Sequence, residues 1–483
     1  MKIYNSLSKK IEDFKPVNPP YVGMYTCGPT VYDFAHIGNL RTYTTADLLV
    51  RTLKYNGYDV KYVMNLTDVG HLTGDNLGDA DTGEDRMEKA AKKEGKTAWD
   101  IARFYTDAFL KDYKRLNLSQ PLLFAKATDH IQEQIKLVQV LEKKGFTYKT
   151  SDGIYFDTSK FPQYGQLSSL DQIKEGARVE INPEKKNPRD FALWKFSDIV
   201  SQRQMEWESP WGFGFPGWHI ECSAMSLKYL GEAFENDSFH GEASRTIDIH
   251  VGGMDLKEIH HPNEIAQAEA ATSRPFVNYW VHGAFMLVDG KRMSKSLGNN
   301  YKVEDILSNG FDPLTLRYLY MQTHYHQEMN FTWEAMEASQ NALNKLKDIV
   351  SYWSEDPKIG CADFEQKFLD AVNDNLNMPR AISIMWELIH SNYPNSAKLE
   401  SLYKIDEVLG LNLKQVQSSK FKVQSFNVPE EVQKLVKERE ELRKQKSFHL
   451  ADQLRDKIEK LGYEIQDLDN DKVNLKKISL RSL

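Results

Sequence analysis

The chain has 483 residues, 41% of them hydrophobic and 27% charged, more than one hydrophobic core fills, which predicts about two to four domains. No stretch approaches the ~18 apolar residues of a membrane span, and Met1 to Pro16 lacks the apolar core of a signal peptide, so a soluble cytoplasmic protein is expected. The net charge of −7 neither advertises nor excludes nucleic-acid binding, which depends on where Lys and Arg cluster, and three scattered cysteines exclude a disulfide framework and leave thiols free to ligate metal or pack.

In chain order, Val22 to Thr26 is a short β-branched and apolar run broken by Gly28 and Pro29, and Leu40 to Tyr58 resumes with helical spacing. Strand, loop, helix is the reading. A helix opening after Gly38 aims unpaired N–H groups at an anion, with His36 and Asn39 placed to donate beside them. Tyr62 to Asn65 is a second strand candidate, Gly74 to Asp85 an acidic, glycine-rich loop, and Trp99 to Leu116 a helix. A helix over Ile131 to Lys144, a strand over Gly153 to Phe156 and a polar stretch over Asn182 to Pro188 suggest an insertion between two halves of a parallel sheet. Helices Trp218 to Leu230 and Pro262 to Thr272 flank a strand, Ile247 to Val251. From about Phe331 helical patterns take over, including Phe364 to Leu376 and Pro379 to His390. A linker, Gln415 to Ser425, leads to a charged helix or helix pair over Pro429 to Leu461.

Two constellations carry chemistry. His260-His261-Pro262-Asn263-Glu264 places imidazoles and a carboxylate within one turn, with Pro262 read as the first helical residue. Zinc accepts such donors, so Cys27, Cys222, His260 and Glu264 can close a tetrahedron at about 2.0 to 2.3 Å per bond; alternatively the histidines cap a helix and Cys222 packs in a core. Gly290 to Asn299 (GKRMSKSLGN) is a tract of cations, hydroxyls and glycines. It reads either as a mobile phosphate-contacting loop or as a solvated basic turn.

In combination these segments resemble the class I aminoacyl-tRNA synthetases and, within them, the cysteinyl-tRNA synthetase family. His36-Ile37-Gly38-Asn39 is similar to the H-I-G-H signature and Arg292-Met293-Ser294-Lys295-Ser296 to K-M-S-K-S. Cys27 to Tyr32 (CGPTVY), Gly217 to Met225 (GWHIECSAM) and Ile249 to Leu256 (IHVGGMDL) resemble segments peculiar to the cysteine enzymes, in the expected order along nearly the whole chain.

The resemblance implies an α/β fold: a Rossmann-type parallel-sheet catalytic domain, split by an inserted connective domain and followed by all-α C-terminal domains. It assigns 1–118 and 206–284 to the two catalytic halves, 119–205 to the insertion, 285–330 to the signature loop and stem-contact region, 331–415 to a helical tRNA-binding bundle and 426–483 to an anticodon-binding tail. The implied activity is ATP-dependent ligation of L-cysteine to tRNA(Cys) through cysteinyl-adenylate, by a monomer holding one zinc ion and using magnesium with ATP. Implied catalytic residues are His36, Asn39 and Lys295. Gly38, Gly252, Gly253, Arg292, Met293, Ser294 and Ser296 are implied for ATP, Thr67, Trp218, His250 and Asp255 for cysteine, and Cys27, Cys222, His260 and Glu264 for zinc. Arg443, Phe448, Asp452 and Asp467 are candidate tRNA contacts.

The chain also departs from the family pattern. Asn39 stands for the second signature histidine and Arg292 for the first loop lysine, Pro262 stands where Glu is common, and Val69-Gly70-His71 replaces the acidic pair and lysine usual after Thr67-Asp68. A ligase joining cysteine to an amino sugar would share the catalytic half without needing the tail; a catalytically dead tRNA-binding relative would tolerate Asn39 but not require Lys295.

Overall fold

The computed structural model describes residues 1–72, 84–168, 182–197, 203–236, 238–294, 297–353, 359–416, 429–444, 447–468 and 472–477. The chain forms two compact units, Met1–Lys414 and Gln415–Leu483. A hairpin, β1 (Lys2–Asn5) and β2 (Lys10–Asp13), precedes a parallel α/β layer built from β3 (Tyr21–Thr26), α1 (Ile37–Tyr55), β4 (Asp59–Leu66), α2 (Arg86–Glu94), α3 (Ala98–Arg115), β5 (Leu123–Lys126) and α4 (Ile131–Lys143). An antiparallel sheet follows, β6 (Thr147–Lys149), β7 (Gly153–Phe156), β8 (Phe191–Phe196) and β9 (Gly214–Pro216). Then come α5 (Trp218–Tyr229), a short ladder β10 (Phe234–Glu235) and β11 (Ser238–Phe239), β12 (Ile247–Gly253), α6 (His260–Thr272) and β13 (Val277–Gly283).

The parallel sheet runs in the order β13-β12-β3-β4-β5. Each strand is covered on both faces, so its residues are apolar in both phases of the alternation. Val22, Met24, Tyr62, Met64, Ile249 and Val251 join one core with α1, whereas Tyr25, Val63 and Trp280 join another with Cys27, Cys222, Ile220 and Ile265. The α/β expectation holds, with the antiparallel sheet inserted between its halves. β5 pairs with β4 although it lies inside 119–205, and β9 runs past the end of that range.

Beyond the sheet, β14 (Met286–Val288) pairs antiparallel with β15 (Lys291–Arg292) and parallel with β16 (Met329–Phe331). Helices α7 (Val303–Ser308), α8 (Pro313–Met321), α9 (Trp333–Tyr352), α10 (Ala362–Asn373), α11 (Met378–His390) and α12 (Asn395–Leu409) complete the first unit. The helix expected to reach Leu376 stops at Asn373, because Asn375 and Leu376 take left-handed backbone angles of +55° and +54°. The second unit contains α13 (Glu430–Lys444), α14 (Phe448–Lys460) and a hairpin, β17 (Tyr463–Leu468) and β18 (Lys472–Lys477), which the all-α expectation for the tail missed. Its core comprises Val432, Val436, Ile458 and Ile465.

One buried ion pair ties the helices of the first unit to its sheet layer. Asp47 on α1 and Arg317 on α8 are fully buried and 2.5 Å apart. Arg317 also donates to the carbonyls of Leu409, at the end of α12, and of Leu116, just beyond α3. Four elements therefore share one guanidinium. Burial raises the Asp47 pKa, and Arg317 and Arg51 outweigh it, holding the carboxyl below its usual range. Removing one partner strands a charge in a low-dielectric site. Arg317→Met is expected to cost about 3 to 5 kcal/mol of stability in urea unfolding, and a loss below 1 kcal/mol would contradict this reading.

Candidate functional site

The sheet order places β3 between β4 and β12, and the connections leave it in opposite directions. This is the switch point at which open α/β sheets form a crevice beyond the strand carboxyl ends. A cavity of about 290 Å³ lies there, with Cys27, Pro29, His36, Asn39, Trp218 and Asp255 in its wall. Cys27 is the first residue past β3; its N–H donates to Val251 O at 3.0 Å, extending the ladder to β12. Gly28 N donates to Asn65 Oδ1 at 2.7 Å. A Cβ at Gly28 would lie 1.9 Å from the Asn65 carbonyl oxygen, so the loop can cross β4 only as glycine.

At one end of the cavity α1 presents its N-terminus. His36 is the N-cap: its Nδ1 accepts from Gly38 N at 3.1 Å and Asn39 N at 3.2 Å, while Asn39 Oδ1 accepts from His36 N at 3.2 Å. This is a reciprocal capping box, made by His and Asn in place of the usual Ser and Glu. The cap fixes chemistry as well as shape. With Nδ1 accepting, the proton of the neutral imidazole sits on Nε2, and with Oδ1 accepting, the Asn39 amide NH2 points away from the cap. Asn39 therefore keeps a donor where the signature has histidine. Gly38 packs under the second signature segment: a Cβ there would fall 2.3 Å from Met293 Cε. Asn299 holds the base of that segment, accepting from Ser294 N at 2.8 Å and donating to Arg292 O at 3.1 Å. Arg292 is exposed, and Lys295 and Ser296 lie outside the described residues.

At the other end, strand periodicity sets up a cluster. Positions Tyr25 and Cys27, His250 and Gly252, and Trp280 and His282 pair across β3, β12 and β13 and share one face of the sheet. Onto that face α5 delivers Cys222 and α6 delivers His260 and Glu264, which lie four residues apart on one helix side. The absent side chain of Gly252 makes room for His261, whose ring atoms would meet a Cβ at 2.6 Å. Cys27 Sγ lies 3.9 Å from Cys222 Sγ and 3.6 Å from Glu264 Oε1, and His260 Nε2 is 3.0 Å from the same oxygen. A tetrahedron with bonds of about 2.3 Å to sulfur and 2.0 Å to oxygen or nitrogen has edges of roughly 3.3 to 3.8 Å. The four buried donors, all within 4.8 Å of one another, fit such a set.

The electrostatics are those of a site built around a cation. Burial opposes the Glu264 charge, yet His250 and His260 outweigh it and hold the carboxyl down at about 2. Burial likewise opposes a charged His260, and Glu264 and Cys222 lift it to about 10. Burial raises Cys27 well above the usual thiol range, helped by Cys222, whereas Cys222 is lowered because Cys27 and His260 together overcome burial. A carboxylate and an imidazolium result beside two thiols, a donor set that a divalent ion can take.

Of the residues expected for cysteine, Trp218 and Asp255 line the cavity, and Gly253 lies beside them. Thr67 and His250 do not. Thr67 Oγ1 donates to Glu221 Oε2 at 3.1 Å, and His250 bonds Glu264 Oε2 at 3.0 Å while stacking on Trp280 at 4.6 Å. Helix α6 starts at His260, correcting the placement of Pro262 as first helical residue. Proline fits at the third position because N–H groups of the first turn have no intrahelical acceptor. Sequence reasoning passed over His219, whose Nδ1 lies 2.8 Å from His260 Nδ1, and Glu221, which also bonds His71 Nε2 at 2.8 Å. The signal available was their spacing to Cys222 on one helix. In the second unit Arg443, Phe448 and Asp452 are exposed, and Asp467 lies on β17.

The fold is that of class I tRNA synthetases. Mycobacterium tuberculosis methionyl-tRNA synthetase bound by methionyl-adenylate superposes with a TM-score of 0.58 at 16% identity, covering 83% of this chain and 93% of that one. LeuRS of Agrobacterium radiobacter K84, in a ternary complex with tRNA and LeuAMS, gives 0.58 at 12% identity and 86% of each chain. The family model of the class I (C) tRNA synthetase catalytic domain matches residues 13–341. Cysteine–tRNA ligase 1 of Burkholderia lata is 45% identical, covering 97% of this chain and 95% of its own. The Treponema denticola cysteine–tRNA ligase is 41% identical over 97% and 98%. The chain belongs to the cysteine–tRNA ligase family.

Gly28→Ala tests the crossing. It is expected to displace β4 or the Cys27 loop and lower the melting temperature, read by calorimetry; an unchanged melting temperature would refute the packing argument.

Proposed function

We propose that this ligase joins L-cysteine to the 3′ end of tRNA(Cys) in two steps within the cavity. The cysteine carboxylate attacks the α-phosphate of ATP, pyrophosphate leaves, and the terminal ribose hydroxyl of tRNA then takes the cysteinyl group while AMP departs. Supporting the first step, His36 Nε2–H and the Asn39 amide form one donor set aimed at developing phosphate charge, reinforced by the positive end of the α1 dipole, whose own first N–H groups are taken by His36 Nδ1 and Tyr301 O. Met293, seated on Gly38, couples that set to the loop bearing Arg292, Ser294, Lys295 and Ser296, and Lys295 neutralises charge on the departing pyrophosphate. Gly253 offers its backbone in the cavity wall at the end of β12 for the nucleotide, with Gly252 beside it admitting the His261 ring on its other side, and magnesium accompanies ATP.

Cysteine is bound between Trp218 and Asp255, the latter facing its ammonium. Thr67 and His250 act as positioning residues, the first through Glu221 on α5 and the second through Glu264. Cys27, Cys222, His260 and Glu264 would hold zinc. A zinc ion there would supply a soft Lewis acid that lowers the pKa of a cysteine thiol from about 8.5, chemistry that serine's hydroxyl does not match. The overlapping group of Cys27, His250, His261 and Glu264 also converges. The first set is preferred because it supplies two thiols, the softer donors that structural and substrate-binding zinc favours. The observation carrying the whole reading is this convergence of two thiols, an imidazole and a carboxylate at the wall that also holds His36.

Arg443, Phe448, Asp452 and Asp467 are proposed to read the anticodon, Arg through guanine, carboxylates through cytosine's amino group and Phe by stacking. The domain ranges inferred from the sequence, a monomeric state and a cytoplasmic setting complete the proposal; no described helix is long and apolar enough to cross a membrane.

Cysteine-dependent ATP–pyrophosphate exchange and charging of tRNA(Cys), with metal analysis of the same preparation, test it. Zinc-free protein that remains fully selective against serine would sink the thiolate role. Cys222→Ser is expected to weaken cysteine binding with ATP binding retained, by calorimetric titration; the reverse order overturns the ligand assignment. His219→Leu, which frees the His260 ring, is expected to reduce zinc affinity by about 10- to 100-fold in chelator competition.

A further inference from the structure

The rim of the cavity carries an aromatic and basic shelf that the activation chemistry does not use. Phe34, in the β3–α1 loop, lines the cavity. Its ring meets Phe104 of α3 at 6.0 Å and Tyr105 at 5.0 Å, both edge-on. Phe104 is 46% exposed, unusual for a phenylalanine packed against two other rings. Cations lie over these faces: Lys302 Nζ is 4.4 Å from the Phe34 centroid and Lys96 Nζ 4.7 Å from that of Phe104. Lys96 also pairs with Glu94 at 2.9 Å, and Glu94 accepts from Tyr105 Oη at 2.8 Å, so the shelf's fixed charge is mixed. Arg86 adds a cation in the wall, 5.5 Å over Tyr32. Five separate stretches of chain supply these groups: the β3–α1 loop, α2, the turn between α2 and α3, α3 itself and the segment following the second signature.

We infer that this shelf receives the unpaired 3′ end of tRNA, with bases stacking on Phe104 and Phe34 while Lys302 and Lys96 turn to the intervening phosphates. The inference rests on the proposed ligase reading and adds the surface by which its second substrate enters. Single-stranded nucleic acid is held by exposed aromatic faces interleaved with cations, independent of base identity. Only an unpaired end fits: its bases have free faces, and its terminal hydroxyl has to reach the same cavity that Phe34 lines. A lysine over a ring is a weaker contact than a stacked base, so the ammonium groups of exposed Lys96 and half-buried Lys302 are displaceable and lie one side chain's reach from the backbone they would neutralise.

The test uses the full chain with Phe104→Ala, Phe104→Leu, Phe104→Trp and Lys302→Gln. ATP–pyrophosphate exchange should stay at the unsubstituted level in all four. The KM for charging tRNA(Cys) should rise by about tenfold for Phe104→Ala and Phe104→Leu, with Phe104→Trp near the unsubstituted value, because a π-face rather than bulk is required. Lys302→Gln should flatten the salt dependence of tRNA binding. A tRNA(Cys) lacking its unpaired 3′ nucleotides should bind the unsubstituted protein and the Phe104 variants equally. Unchanged charging by Phe104→Ala, full rescue by leucine, or equal loss of affinity for the truncated tRNA would overturn the inference. Failure of the unsubstituted protein to charge tRNA(Cys) at all would overturn both the shelf and the ligase reading, whereas intact charging with an indifferent Phe104 removes the shelf alone.

Discussion

Everything in the first unit is arranged around the point where β3 ends between β4 and β12. A parallel strand with neighbours on both sides spends its backbone groups on them, so the residue that follows is held from two directions. Cys27 N continues the bonding to Val251, and Gly28 N is taken by the side chain of Asn65. The Cα and Cβ of Cys27 are therefore placed by backbone geometry, so the thiol is presented on the sheet face that Cys222 and Glu264 also meet. From this fixed start the loop reaches His36 in nine residues, and the capping box on α1 fixes the other end. Thiol chemistry and phosphate chemistry are thus two ends of one short, doubly anchored stretch of chain.

Burying the cluster beside Cys27 is costly unless a cation completes it. Two thiols, a carboxylate and several histidines lie out of water, and isolated charges there would simply neutralise. Instead Glu264 is kept ionised by imidazoles on either side, His250 at one oxygen and His260 at the other. A second layer supports those rings: His219 behind His260, Trp280 beneath His250, and His282 behind His261, with His282 bonded in turn to Ser6 at 2.8 Å. Such backing fixes ring orientation, and orientation decides which nitrogen faces the centre.

How much of this was legible in the sequence follows from the range of each interaction. The strand–loop–helix at Val22 to Tyr58 was readable because periodicity and the Gly-Pro break are local, and helix α1 begins only a few residues earlier than its apolar pattern. The four converging donors were legible as residue types. Their convergence was legible only through the family resemblance, because it arises from sheet registers that put Cys27, His250 and Trp280 on one face, and parallel pairing leaves no mark at short range. Short strands such as β6 and β9 have too few residues to show alternation. Thr67 and His250 were read as substrate contacts from the family resemblance, and their hydrogen bonds aim them at Glu221 and Glu264. His219 was invisible for a related reason: a histidine one residue from a tryptophan on a helix looks like core until its partner on α6 is known.

Selectivity for a thiol over a hydroxyl is where these constraints meet. A pocket of fixed shape separates near-isosteres by only ~1 to 3 kcal/mol, and sulfur and oxygen differ by less than a methylene in bulk. In the proposed reading discrimination would come from bonding character, which a soft metal centre held in a fixed place would supply. Mobile ligands would let the centre follow the smaller atom and blunt the difference. Cys27 held by two strands, and Cys222 and Glu264 on two helices packed on the same sheet face, prevent that adjustment. The rigidity of the switch point is therefore itself part of the chemistry: it makes substrate identity a question of what the centre binds, with little scope for the pocket to relax around a substitute.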